Sequence, residues 1–209
     1  MSALSESSVW RVALLRASKR SWMRVSNRLV LSLMAARDFA RAKLLALQVI
    51  AADPRQVDAL GVLGEITLMQ GLWDEARGYA EQAAGARPDD LNLLLLCARV
   101  AQARGDSAST LHWCDQALTR RPGDLSALVT KATALERTGD RQQAESILAR
   151  AMNSSAPSPS AAQVWAQILL RKGDAKAARK VIDRGLAQYT PLRPAPGPVK
   201  ARLLFLKAK

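Results

Sequence analysis

Four glycines, Gly71, Gly105, Gly139 and Gly173, stand 34 residues apart, and no other feature of the chain restricts its fold as strongly. Asp106, Asp140 and Asp174 directly follow three of them, and Pro54, Pro88 and Pro122 keep the same 34-residue spacing. A fixed period of this length marks a solenoid. Each unit is one supersecondary element that cannot bury its apolar face alone, so neighbours complete each other's cores.

Between these marks the apolar residues follow helical spacing. Leu60, Leu63, Gly64 and Thr67 recur at steps of three and four, and Ala76, Ala80, Ala83 and Ala84 continue after Gly71. Each unit therefore reads as two amphipathic helices joined at the glycine and ended near the proline. Glycine reaches the left-handed conformation that closes a helix, and the aspartate after it caps the next one. Proline cannot continue a helix interior and marks the exit. The same logic disposes of Arg104-Gly105-Asp106-Ser107, which matches the tetrapeptide through which matrix proteins engage adhesion receptors. The junction recurs as Arg137-Thr138-Gly139-Asp140 and Arg171-Lys172-Gly173-Asp174, so the Arg-Gly-Asp order follows from a capping rule.

Composition agrees with an all-α chain. Hydrophobic residues make up 49% of the 209, Ala and Leu dominate them, and aromatics are only 4%. No run alternates polar residues with β-branched or aromatic ones, so there are no strand candidates.

The pattern resembles the tetratricopeptide repeat, whose signature runs W-x2-L-G-x2-Y, then A-x3-F, then P. In residues 57–90 it reads Leu60-x2-Leu63-Gly64-x2-Thr67, then Ala76-x3-Ala80 and Pro88. The next unit has Leu94, Cys97, Ala98 and Ala101, then Thr110, Cys114 and Pro122. Leu128, Lys131, Ala132 and Leu135 lead to Ala144, Leu148 and Pro157, and Ala162, Trp165, Ala166 and Leu169 to Ala178, Ile182 and Pro191. A first unit has Ser26, Leu29, Val30 and Leu33, then Ala42, Ala46 and Pro54, with Arg37 where the others have glycine. Large aromatics of the signature are mostly replaced by Ala or Leu. Lys131 stands where Leu is expected and would lay its stem on the core while exposing its amine.

The resemblance implies a right-handed α-solenoid of about five units, over 23–56, 57–90, 91–124, 125–158 and 159–191. A basic capping helix would occupy 1–22, a Pro-rich linker 192–198, and a half-repeat or truncated helix 199–209. It also implies that the first helix of each pair lines an inner groove that holds a protein or peptide. In that register the groove positions are Val62, Glu65, Leu68 and Met69, then Leu95, Leu96 and Arg99, then Val129, Thr133 and Glu136. Their Leu, Met and Val content suggests an apolar groove with a few orienting charges; the alternative is that these side chains complete packing between units. Some relatives clasp a C-terminal carboxylate with Lys and Asn on successive inner helices. Here Asn27 is in register, but Leu31, Gly61, Asn92 and Arg99 do not supply the rest, so chaperone binding is not expected.

The net charge of +13 sits at the ends. Residues 1–50 carry nine Lys/Arg against two acids and 165–209 eleven against two, while 51–150 carry eleven against fourteen. Arg16, Arg20, Arg24 and Arg28 form a stripe that reads as a solvated cap or as a tether to nucleic acid or an anionic membrane. The first 36 residues, basic and Ser-rich with Glu6 the lone acid, fit a capping helix or an organelle transit peptide. The longest apolar run, Leu29 to Ala36, falls far short of the roughly 20 residues of a membrane span, and a cytoplasmic location is expected.

No enzyme chemistry is expected. One histidine, His112, excludes a multi-His metal site, and Cys97 and Cys114 read as buried apolar packers. Asp89-Asp90 and Asp74-Glu75 sit at helix starts, where carboxylates meet the helix dipole favourably. No phosphate loop, dinucleotide fingerprint or nucleophile elbow occurs, and no cofactor or small-molecule ligand is expected. The segment after Pro191 is similar to the lead-in helix of bacterial proteins whose repeats precede a sulfotransferase domain, which would make the parent an enzyme; no phosphosulfate-binding motif is present. The leading expectation is a non-catalytic adaptor.

Overall fold

The computed structural model describes residues 29–153, 158–187 and 198–207. The expected N-terminal cap, the Arg16–Arg28 stripe, Pro157, Pro191 and the linker residues 192–197 lie outside the described residues. Every described regular element is helical: α1 over 29–35, α2 Phe39–Ala52, α3 Val57–Met69, α4 Trp73–Ala86, α5 Leu91–Ala103, α6 Ser107–Arg120, α7 Leu125–Thr138, α8 Arg141–Met152, α9 Pro159–Arg171, α10 Ala175–Leu186 and α11 Pro198–Lys207. The helix pairs follow the 34-residue register, and the fold class is the expected all-α solenoid repeat. Helix α11 starts at Pro198, which the sequence had assigned to the linker; proline at the first helical position lacks only an N–H that has no partner there anyway.

The glycine joints are built as their chemistry requires. Gly105 has φ +77°, its N–H donates to the Gln102 carbonyl, and the Asp106 N–H donates back to Ala101 at 3.0 Å. The Asp106 carboxylate then accepts from the Ser109 N–H at 3.0 Å, so one residue closes α5 and opens α6. The first joint does the same without glycine. Arg37 stands at φ +61°, Asp38 donates to the Leu33 carbonyl at 2.9 Å, and its side chain accepts from the Arg41 N–H. A non-glycine residue in this region costs on the order of 1 kcal/mol, which the surrounding packing offsets.

Clustering of the backbone divides the chain between Pro88 and Asp89, at the end of the second expected repeat. In the first compact unit, α2 and α4 both pack on α3. Val30, Ala42, Ala46, Val49, Ala59, Val62, Leu63 and Ile66 form its core. Helix α3 buries nine of its thirteen residues, so it is apolar nearly all round, as a helix covered on several sides must be. Helix α4 buries the expected Ala76, Ala80, Ala83 and Ala84, whose small side chains let the two axes approach.

In the second unit α5 pairs with α6, α7 with α8 and α9 with α10. The first helices form a row in which α5 touches α7, α7 touches α9 and α9 touches α11. Helix α11 therefore holds the place of the first helix of a further repeat, with Leu203 and Leu206 inserted into the core. The second helices bury equivalent residues 34 apart: Thr110, Ala144 and Ala178; Cys114, Leu148 and Ile182; Ala117, Ala151 and Gly185. Full burial of a side chain such as Leu148 is worth about 2 kcal/mol. Gly185 marks the tightest approach, since a Cβ there would lie 2.5 Å from the Ala162 Cβ and 3.2 Å from a Leu203 methyl.

Candidate partner-binding faces

A first helix that is buried on its flanks has only a narrow stripe left for solvent. On α3 that stripe runs through Asp58, Glu65 and Met69, in steps of about two turns and then one along one side. On α5 the equivalent positions are Asn92, Arg99 and Ala103, and on α7 they are Ser126, Thr133 and Arg137, each 34 residues on from the last.

The structure divides the expected groove residues between this stripe and the packing beneath it. In the first unit Val62 is only 7% exposed and belongs to the core, Glu65 and Leu68 are half-buried, and Met69 is 55% exposed. In the second unit Leu96 is 2% exposed, so it presents no usable surface. Leu95 and Val129 are half-buried and pack against their core clusters, while Arg99 lies exposed. Thr133 is half-buried and its hydroxyl donates to the Val129 carbonyl at 2.9 Å within the same helix. Glu136 is ion-paired with Arg171, 35 residues on. The stripe is thus more polar than the sequence suggested, because apolar positions such as Val62 and Leu96 are buried in the packing between helices.

Sequence reasoning missed the residues that hold this face in register. Arg137 donates to the Gln102 carbonyl at 2.9 Å across the same 35-residue step that separates Arg171 from Glu136. The final arginine of a first helix thus reaches back to the preceding one. The signal was present: Arg104, Arg137 and Arg171 each precede the joint glycine or its neighbour. Lys131 keeps its stem partly buried and its Nζ bonds to Asp115 at 2.5 Å, matching the expected exposed amine over a covered stem.

The cysteines and the histidine take ordinary structural positions among the described residues. Cys97 and Cys114 are both buried and not joined by a disulfide, and burial pushes the Cys114 thiol up to about 12, with Asp115 adding to the rise. His112 is exposed, stacks edge-on against Trp113 at 5.3 Å, and its Nε2 is 2.9 Å from the Gln116 amide. Among the described residues no three His, Cys, Asp or Glu side chains converge as metal ligands, and no helix is long and apolar enough to cross a membrane.

Residues 27–90 match the tetratricopeptide repeat family model. No curated protein matches the chain. Solved structures do share its fold. A thermophilic TPR protein of Thermus thermophilus is 18% identical, with a TM-score of 0.71 over 90% of this chain and 100% of that one. PilW, a widely conserved type IV pilus biogenesis factor, is 19% identical, with a TM-score of 0.74 over 88% of this chain and 82% of that one. YrrB, a TPR protein with an unusual peptide-binding site, is 16% identical, with a TM-score of 0.65 over 88% and 91%. Identities this low carry the fold alone. Residues 27–90 thus carry the tetratricopeptide repeat by sequence, and the chain as a whole has the helix-pair fold of tetratricopeptide-repeat proteins.

Proposed function

We propose that the chain is a non-catalytic adaptor that holds a segment of a protein partner along the exposed stripes of its first helices. The observation that carries this reading is the row α5, α7, α9 and α11. Its members touch in sequence and leave Arg99 exposed and Thr133 partly exposed on one side of the row. A rigid, periodic and mixed polar–apolar face suits an extended peptide or a helix, which gains affinity from several modest contacts spaced along it. The peptide-binding site named for YrrB, which shares the fold, is consistent with such a use.

The test is affinity capture from native cells with wild type and with Arg99→Glu/Thr133→Arg. Both sites lie in the middle of helices, so circular dichroism should be unchanged. The reading requires that proteins held by the wild type are lost from the variant. Retention of the same proteins at the same yield would remove the first-helix row as the binding face.

A further inference from the structure

The basic C-terminal region that the sequence set apart acquires a shape. Helix α10 and the last turn of α11 border a cleft of about 740 Å³. Lys176, Arg179 and Lys180 line it from exposed positions on α10, and among the described residues no ion pair engages any of the three. Its one carboxylate, Asp183, is already taken by the Lys207 ammonium. Arg184, a fourth cation of the lining, is held by the Met152 carbonyl and the Asn153 side chain. Beneath the cations lie Leu170, half-buried, and the edges of Ile182 and Leu206.

The three cations therefore face open space above an apolar floor, an arrangement that folding alone does not call for. Lys176 and Lys180 are one helical turn apart, roughly 6 Å along the axis, which is also the repeat of carboxylates placed four residues apart on a partner helix. Residues 184–209, which include α11, contain no Asp or Glu. A flat bilayer would meet the rim of a concave site and leave its floor unused. Nucleic acid would find no aromatic side chain on the lining to stack on.

We propose that this cleft docks an acidic amphipathic segment of another protein. Its carboxylates face Lys176, Arg179 and Lys180, and its apolar side chains reach the floor at Leu170. Neither Arg99 nor Thr133 lines this cleft, so either site can fail without the other.

The experiment is fluorescence anisotropy on the full chain with a labelled synthetic helix bearing Glu on one face and Leu on the other. Lys176→Glu/Lys180→Glu should weaken binding by about tenfold or more, with the circular dichroism spectrum and melting temperature unchanged because both side chains are exposed. Replacing the peptide's Leu with Ser should weaken it again, whereas Arg55→Glu, on the other compact unit, should leave it unaltered. Equal affinity of wild type and the double variant, or no binding by the wild type, would overturn the proposal. So would tighter, variant-sensitive binding of duplex DNA or phosphatidylserine vesicles, or a self-associated wild type that the double variant disperses.

Discussion

The two compact units of the chain follow one architecture with different local discipline. In the second unit all six helices from α5 to α10 begin with a side-chain cap: Asp90, Asp106, Asp124, Asp140, Ser158 and Asp174 each accept a backbone N–H two or three residues on. In the first unit α2 is capped this way, whereas Gln56 and Leu72 start α3 and α4 without a side-chain cap. One joint there keeps the aspartate but replaces glycine by Arg37, and the next keeps Gly71 but replaces the aspartate by Leu72. Yet Leu72 still donates its N–H to Thr67 at 2.9 Å, the same closing bond as at Asp106 and Asp140. The joint's backbone path is thus set by packing of the helix pair. Glycine and aspartate lower its cost without being needed to define it.

The largest effect expected from this contrast lies in glycines that are not at joints. Gly185 in α10 has no room for a methyl group, with Ala162 on one side and Leu203 on the other, whereas Gly78 and Gly85 in α4 have no atom within 4 Å of a built Cβ. Gly185→Ala should cost about 2–3 kcal/mol through overpacking, seen as a lower denaturation midpoint and faster hydrogen exchange in α9 and α10. Gly78→Ala should do the opposite, gaining up to about 1 kcal/mol from helix propensity. A neutral Gly185→Ala would mean that α9 and α11 can part without loss, and the tight seam would not be a stabilising feature.

A smaller pair of substitutions exchanges the character of two joints. Asp140→Ala removes a cap from the second unit and should cost about 1 kcal/mol. Leu72→Asp installs one in the first unit, at an exposed residue whose φ of −85° and ψ of 67° nearly match the −81° and 67° of Asp140, and should return a similar amount. Chemical denaturation of each variant against wild type measures both. If Leu72→Asp destabilises the chain, Leu72 is held by packing, and the missing cap is no defect.

These joints were also the most legible part of the sequence, because they rest on interactions within six residues. Gly105-Asp106 specifies a left-handed residue and a cap wherever it occurs, and 34-residue repetition turned one local rule into a fold. The partner-binding face was less legible for a physical reason. Val62 and Leu96 sit at positions that the repeat register assigns to the groove, but a first helix is covered by its own second helix and by neighbouring helices, which erases the apolar–polar contrast. Similarly, the charge of Lys176, Arg179 and Lys180 was plain, while the cleft beneath them depends on α11 returning to the core from beyond a Pro-rich stretch. No pattern within α10 could announce it.

The smallest expected effect separates the chemistry of a cap from its geometry. The Asp106 carboxyl is held below its ordinary value of 3.8, first by the Ser109 N–H, then by the Ser109 hydroxyl at 2.7 Å, with Arg104 adding a weaker pull; partial burial opposes them. Because the folded value is depressed, the bonds to the ionised form contribute stability that is complete above the unfolded value. That contribution is lost as pH falls from there through the folded value. Asn can accept the same Ser109 N–H but does not titrate. Asp106→Asn should therefore be less stable than wild type near pH 6, and the difference should shrink as the pH falls below the unfolded value. Amide exchange at Ser109 reads this locally, and the Gly71–Leu72 joint, which has no carboxylate, provides the control. A stability difference between wild type and Asp106→Asn that stays constant across this range would assign the cap's contribution to shape alone. The two units would then differ in how their joints are shaped and not in how they are charged.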